Sequence, residues 1–309
     1  MRVSKVEEFE ELRPLLFSIA YRILGSVSEA EDAVQETWLR YDGTTTRPTS
    51  LKAYLSTTVT RIALDVLRSA RVRREQYVGP WFPEPLLSDP YEDPARAMEL
   101  ADSVSMAALV LLERLSPLER AVFVLREVFG FEFDEVAAAV GRSEAACRQL
   151  VVRARRHMRD GRPRFEALRE EREELASRFF DALREGDVAS LRDLLAADVS
   201  MAGDSGGKAP QLARAVVGAD NVARLLASVF PWMARIDVTF ELHEINGQPG
   251  AIFREREGGV LAVMVLDVRA GQIRAIRSVI NPDKLGHVGP VADAWAVDRE
   301  FRGVRRRWS

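Results

Sequence analysis

Eight arginines, Arg142, Arg148, Arg153, Arg155, Arg156, Arg159, Arg162 and Arg164, crowd one short stretch that holds only two acids, Glu144 and Asp160. A local net charge of +6 is the electrostatic signature of a phosphate-backbone partner. A second cluster, Arg61, Arg68, Arg71, Arg73 and Arg74 beside Asp65, suits melted or single-stranded DNA held by charge and stacking. Arginines at a helix C-terminus also simply complement the helix dipole, so this cluster is less specific alone. The chemistry on offer is recognition rather than bond making. Acid–base candidates exist in Asp204, Asp237, His243 and Asp267, but no spacing among them makes a dyad, and no catalytic residue is assigned. His157, His243 and His287 are far apart and Cys147 is the lone cysteine, so neither a metal site, a cofactor nor a disulfide framework is expected.

The elements that must carry these residues are mostly helical. Phe9, Leu12, Leu15, Leu16, Ile19 and Ile23 form one apolar stripe that stops at Gly25. A second helix restarts at Ser28 and Glu31, spaced as a capping box, with Ala30, Val34, Trp38 and Tyr41 on one face. A third buries Leu51, Leu55, Val59, Ile62 and Val66 and leaves Thr57, Thr60, Arg61 and Arg68 to solvent. Five of the 14 prolines fall at positions 80, 83, 85, 90 and 94, which rules out regular structure there. That segment also carries Trp81, Phe82, Leu86 and Leu87, too much apolar bulk for a solvated linker, so it is expected to dock.

Helical periodicity resumes near Ala95. Ser116-Pro117-Leu118-Glu119 combines a capping box with proline at the first helical position, and the helix runs to about Phe129. A short helix from Asp134 to Val140, the Gly141-Arg142 turn and a last helix capped by Ser143 read as a helix-turn-helix. There the start of the second helix enters the major groove, which sets Ser143, Glu144, Ala145, Arg148 and Gln149 at base edges, with Arg142, Arg153 and Arg156 among the phosphate contacts. Cys147, Leu150 and Ala154 form its packed face. Beyond a charged helix from Phe165 to Arg184, the β-rich runs Val260–Arg269 and Gln272–Ile280, joined by Ala270-Gly271, indicate a hairpin in an α+β domain. The arginine-rich end, Arg305-Arg306-Arg307-Trp308-Ser309, is expected to be mobile. The total charge, Lys+Arg 44 against Asp+Glu 47, is balanced, and the acidic start has no signal-peptide core. With no apolar run of membrane-spanning length, a cytoplasmic protein is expected.

The stretches YRILGSVSEAEDAVQETWLRY, LKAYLSTTVTRIALDVLRSARVRRE and LSPLERAVFVLREVFGFEFDEVAAAVGRSEAACRQLVVRARRHM resemble the paired domains of extracytoplasmic-function RNA polymerase sigma factors of the sigma-70 family. The resemblance implies that the helix from Glu29 to Tyr41 binds the clamp coiled coil of the largest polymerase subunit through Asp32, Gln35, Glu36 and Trp38. It implies minus-10 recognition and melting by Arg61, Asp65, Arg68, Arg71, Arg73 and Arg74 with the loop before Leu51. The Ser143 helix would read the minus-35 element, and the flap of the second-largest subunit would be a further partner. Arg61 stands where many relatives have asparagine and Leu150 where many have arginine, so promoter preference does not transfer.

The region from Glu171 to Val288 is similar to the SnoaL-like, nuclear-transport-factor-2-like fold, a cone of curved sheet and helices. Three signatures match the sigma-factor subgroup carrying that extension: Tyr77-Val78-Gly79-Pro80-Trp81-Phe82-Pro83-Glu84-Pro85, Asp204-Ser205-Gly206-Gly207-Lys208 and Asn281-Pro282-Asp283-Lys284-Leu285. The resemblance implies a built-in regulator in place of a separate anti-sigma protein. Trp81, Phe82 and Pro83 are expected to pack near charged loops carrying Asp204, Gly206, Gly207, Lys208 and the Asn281 to Leu285 turn.

The expected organisation is multidomain. Residues 1–76 form a three-helix sigma domain, 77–95 a proline-rich linker, 96–164 the helix-turn-helix sigma domain, 165–290 the α+β SnoaL-like domain and 291–309 a tail. Two alternatives stay open: a SnoaL-like domain that senses a small ligand or retains enzymatic activity, and a plain helix-turn-helix repressor.

Overall fold

The computed structural model describes residues 4–75, 77–159, 169–211 and 214–308. Two compact units share the chain: Met1–Gln76 with Asp89–Pro163, and Tyr77–Ser88 with Arg164–Ser309.

The first unit is all helical. Its first module comprises α1 (Lys5–Leu24), α2 (Val27–Asp42) and α3 (Leu51–Glu75). A Ser4/Glu7 capping box starts α1, and Gly25, at φ +70°, ends it in the left-handed conformation that costs glycine least. The cap of α2 differs from expectation. Ser26 Oγ accepts the Glu29 amide at 3.1 Å, so the helix begins before Ser28, because the turn at Gly25 delivers Ser26 in an extended conformation. Thr60 also departs from its expected exposure: it is fully buried, and its hydroxyl bonds back to the Ser56 carbonyl.

The second module holds α4 (Ala97–Val104), α5 (Met106–Leu112), α6 (Pro117–Phe123), α7 (Phe133–Val140) and α8 (Glu144–Arg159). The Ser116/Glu119 box caps α6 as read from the sequence, and a single π turn over Val124–Val128 carries the chain towards Gly130. Two buried arginines join the modules. Arg22 donates to Ser103 Oγ at 2.8 Å, the Leu100 carbonyl at 2.9 Å and Asp89 at 2.7 Å. Arg120 donates to the Ile23 carbonyl at 2.8 Å and to Glu113. Acceptors around the Arg22 guanidinium thereby compensate its burial, whereas Arg120 is met through Nη1 and its buried Nε has no hydrogen-bond partner among the described residues.

The second unit is α+β. After α9 (Arg169–Glu185) and α10 (Val188–Leu194) come β1 (Leu195–Asp204), β2 (Val216–Val217), α11 (Ala219–Ala234), β3 (Thr239–Ile245), β4 (Gln248–Arg254), β5 (Val260–Arg269) and β6 (Gln272–Val279). They make one sheet of order β2-β1-β6-β5-β4-β3, parallel between β1 and β6 and antiparallel elsewhere. Register shifts between β1 and β6, between β4 and β5 and between β5 and β6 mark bulges, the usual device for bending strands. The expected hairpin is β5–β6, turned by Ala270 and Gly271, both at positive φ. Phe179, Phe180, Leu183, Leu226, Leu266 and Ile276 lie at the core between sheet and helices.

The end of the chain corrects the expectation of a mobile tail. Ala294–Trp308 forms α12, with Phe301 buried and Val297 and Val304 packed against the core. Spacings of four and three place these apolar residues on one helix face, which the flanking arginines obscure in the sequence. Among the described residues no helix is long and apolar enough to cross a membrane.

Candidate nucleic-acid interface and linker clamp

In the first unit, α8 turns Cys147, Leu150 and Ala154 inward. Burial pushes the Cys147 thiol above its ordinary range, so it packs as an inert apolar group. Arg142, Ser143, Glu144, Ala145, Arg148, Gln149, Arg153 and Arg156 all face solvent. They do not stand equally free. Arg153 Nε lies 3.0 Å from Glu119, and Arg155 forks onto Glu127 at 2.7 and 2.9 Å. Arg148 pairs with Glu144 at 2.7 Å and lies over the Phe133 ring. Burial pushes Glu119 up, but hydrogen bonds from Ser116 and Arg153 outweigh it and hold the carboxyl below its usual range.

On α2, Asp32 and Gln35 are exposed, while Glu36 is half-buried and pairs with Arg40 at 2.8 Å. Trp38 is half-buried too, its ring packed 5.1 Å from Phe9 and 6.2 Å from Tyr41, so it has a structural duty in the module. On α3, Asp65 and Arg68 form an exposed pair at 2.9 Å. Arg61 is engaged elsewhere: its guanidinium donates to the Ala138 and Ala139 carbonyls near the end of α7, at 2.7 and 3.2 Å. The side chains of Arg71, Arg73, Arg74 and Arg159 lie outside the described residues, as do Arg162 and Arg164 altogether.

In the second unit, Tyr77–Ser88 lies along the C-terminal domain and is built into it. Asp204, at the end of β1, is fully buried. Its carboxylate accepts from the Tyr77 hydroxyl, from the Phe82 amide at 2.8 Å, from Lys284 Nζ at 2.7 Å and from the Gly206 amide at 3.1 Å. Lys284 also donates to the Phe82 carbonyl and sits 4.1 Å from the centre of the Trp81 ring. Asn281 Nδ2 donates to the Tyr77 hydroxyl at 2.8 Å. Burial, then the Asp204 carboxylate, pushes the Tyr77 phenol far above its ordinary range. Phe82, Pro83 and Leu86 are buried against the domain, each large apolar side chain contributing about 1.5–3 kcal/mol by its removal from water.

Gly206 stands at φ +56°, and a Cβ there would meet Asn281 Nδ2 at 2.5 Å and the Tyr77 hydroxyl at 3.0 Å. Lys208 and Asp283 form the outer, exposed ion pair of the same corner. The expected picture of charged loops is therefore corrected for Asp204 and Lys284, which are buried partners rather than solvated loop charges.

Several participants escaped sequence reading. Asn246, at φ +54°, accepts the Leu86 amide at 3.0 Å and donates its own amide to the Leu86 carbonyl at 2.7 Å. His287 Nε2 donates to the Pro85 carbonyl at 2.6 Å. An Asn-Gly pair between alternating apolar residues was the available signal for the first. The four acid–base candidates keep separate partners. Asp204 belongs to the linker, Asp237 and His243 are surface groups beside Arg256 and Glu241, and Asp267 is forked by Arg269 at 3.0 Å to both oxygens.

Two helical modules with exposed basic helices, fused to an α+β domain that holds their connecting segment, define a promoter-recognition protein with an accessory domain. Residues 9–73 match the model for sigma-70 region 2 and residues 105–158 that for sigma-70 region 4. The chain is 41% identical over 290 residues to the ECF RNA polymerase sigma factor SigJ of Mycobacterium tuberculosis, covering 91% of this chain and 93% of that one. It is 31% identical over 276 residues to the probable ECF RNA polymerase sigma factor SigI of the same species, covering 88% and 92%. The crystal structure of SigJ superposes with a TM-score of 0.72 at 37% identity, over 93% of this chain and all of that one. The chain belongs to the extracytoplasmic-function sigma factors of RNA polymerase, whose paired sigma-70 domains bind core polymerase and direct promoter-specific initiation.

Proposed function

We propose that the C-terminal domain regulates this sigma factor in cis by gripping the segment between its two promoter-binding modules. The observation that carries the reading is the buried Asp204 carboxylate, which binds Tyr77 and Phe82 of the linker and Lys284 of its own domain at once. A linker held at this many points cannot set the separation of the two modules freely, and that separation must match the spacing of two promoter elements. On this reading a separate anti-sigma protein is not required, and the protein acts on the cytoplasmic polymerase.

Asp32, Gln35, Glu36 and Trp38 present the α2 surface to the clamp coiled coil, where exposed acids suit a basic partner. The start of α8 reads the minus-35 element through Arg142, Ser143, Glu144, Ala145, Arg148 and Gln149, with the flap of the second-largest subunit nearby. Asp65, Arg68 and the arginines that follow on α3 serve the minus-10 element. Arg61 joins them only after releasing the α7 carbonyls, so unit 1 as described is a resting arrangement. No catalytic step is assigned to the C-terminal domain.

The test is run-off transcription with core polymerase on promoters selected from a random library. It compares the full chain with truncations ending near residue 164 and just before Asn281. Core-dependent transcripts whose yield changes on truncation are expected; DNA binding without transcription from any form would instead favour a helix-turn-helix repressor.

A further inference from the structure

The segment that joins α2 to α3, Gly43-Thr44-Thr45-Thr46-Arg47-Pro48-Thr49-Ser50, contains no large apolar side chain that could anchor it to the core. Ordering such a loop costs conformational entropy, which contacts from elsewhere must offset. The start of α1 supplies them. Lys5 Nζ donates to the carbonyls of Tyr41, Asp42 and Thr44, at 3.3, 3.0 and 2.9 Å. These acceptors end α2 and begin the loop, where the leftover helix carbonyls concentrate negative charge and favour a cation. The same ammonium lies 5.2 Å from the centre of the buried Tyr41 ring.

One turn further along α1, the half-buried Glu8 ties the middle of the loop to its beginning. One carboxylate oxygen accepts from the Tyr41 hydroxyl at 3.1 Å, and the other accepts from the exposed Arg47. At the far end Ser50 caps α3: its hydroxyl accepts the Ala53 amide at 3.3 Å and its carbonyl the Tyr54 amide at 3.0 Å. The loop is thus fixed at entry, middle and exit. Between these points the side chains of Thr45, Thr46 and Thr49 face solvent.

We propose that Lys5 and Glu8 are positioning residues for minus-10 selection: they hold the loop in the shape in which its exposed threonine hydroxyls meet base edges of the opened strand, and do not touch DNA themselves. The inference rests on the reading that this loop, with α3, serves the minus-10 element. Contacts to phosphate supply affinity, whereas contacts to base edges supply discrimination. A hydroxyl displaced by an ångström no longer makes a hydrogen bond. Loosening the loop therefore costs selectivity at minus-10, while the affinity that the α3 arginines draw from phosphate is kept.

The test uses the full-length protein with core polymerase, transcribing promoter libraries randomised either at minus-10 or at minus-35. Lys5→Met is expected to lower the preference for the best minus-10 base over the next about fivefold, the worth of one net hydrogen bond, with minus-35 preference and the thermal melting profile unchanged. Lys5→Arg, which keeps a cationic donor, is expected to retain most of that preference, and Glu8→Gln, which removes the charge that holds Arg47, to lose part of it. Unchanged minus-10 preference in Lys5→Met would overturn the proposal. So would minus-10 and minus-35 preferences that fall together, the mark of a merely structural role. The double substitution Thr45→Ala and Thr46→Ala separates the two levels. If it leaves minus-10 preference intact, the loop does not read DNA and the proposal falls with that reading; if it broadens the preference while Lys5→Met does not, the positioning role alone is overturned.

Discussion

Lys284 Nζ lies 2.7 Å from Asp204 Oδ2, both side chains almost wholly removed from solvent although 80 positions separate them in the chain. Breaking such a pair from one side strands a buried charge, at a cost of about 3–5 kcal/mol. The linker shares this pair through the Phe82 amide and carbonyl. Lys284→Met is therefore expected to release the linker. Hydrogen exchange at the Phe82 and Leu86 amides should accelerate by roughly a hundredfold or more, with α8 amides unchanged. Unaltered protection at both linker amides would show that apolar packing alone holds the segment.

Tyr77 gives the clamp a pH dependence. Its folded pKa is raised above the ordinary tyrosine value of 10.0, so its contribution is fully present below that pH and is lost as pH rises through the higher folded value. Linker protection should fall in the alkaline limb above about pH 10. An ultraviolet titration of Tyr77→Phe should lack one phenol among those that ionise late, a group that includes Tyr41 and Tyr91, also raised chiefly by burial.

Sequence made part of this corner legible and hid the rest. Gly206 and Gly207 read correctly as a turn, since φ values of +56° and +73° demand residues without a Cβ. Asp204 and Lys284 read as solvated loop charges, because nothing local reveals a partner 80 positions away. The Ser116-Pro117-Leu118-Glu119 start of α6 and the β5–β6 hairpin were legible because capping and two-residue turns are local chemistry. By contrast β1, the short β2, β3 and β4 lack clean alternation and are specified by pairing across the sheet. The α12 face needed Val297, Phe301 and Val304 to be weighed above the arginines between them.

The α8 arginines should separate by their partners. Arg148→Ala is expected to cost about 1–3 kcal/mol in binding a selected promoter and to relax preference at one position, as for a base-reading arginine. Arg156→Ala should weaken binding to all sequences alike and lower the salt slope by about one. Arg153, tied to Glu119 at 3.0 Å, should lose less DNA affinity than Arg156 on substitution by alanine. Electrophoretic titrations at several salt concentrations read all three.

Glu119 adds an acid limb to the helix-turn-helix module. Its folded pKa lies below the ordinary glutamate value of 4.5, so its stabilising contribution is complete above that pH and disappears as pH falls through the lower folded value. Glu119→Gln should flatten the decline of α6 and α8 protection below about pH 4.5, measured by hydrogen exchange.

Arg61 is expected to restrain the two modules of the first unit through its bonds to Ala138 and Ala139. Because the side chain is exposed, Arg61→Ala should lower stability by only about 1 kcal/mol in urea, yet raise proteolytic access to the end of α7. No change in either would assign the bonds no role in holding the modules together.

The central claim is tested most directly by run-off transcription with core polymerase at saturating, equal sigma occupancy, comparing wild type with Asp204→Asn in the full chain. The substitution keeps the shape of the side chain and removes the charge that Tyr77, Phe82 and Lys284 share. Core-dependent transcripts from wild type, changed about fivefold or more by Asp204→Asn with an undiminished helical melting profile, are the expected result, since about 1 kcal/mol in linker release already corresponds to that factor. Equal transcript yields from the two proteins, with the linker amides shown to exchange freely in the variant, would contradict regulation through the linker.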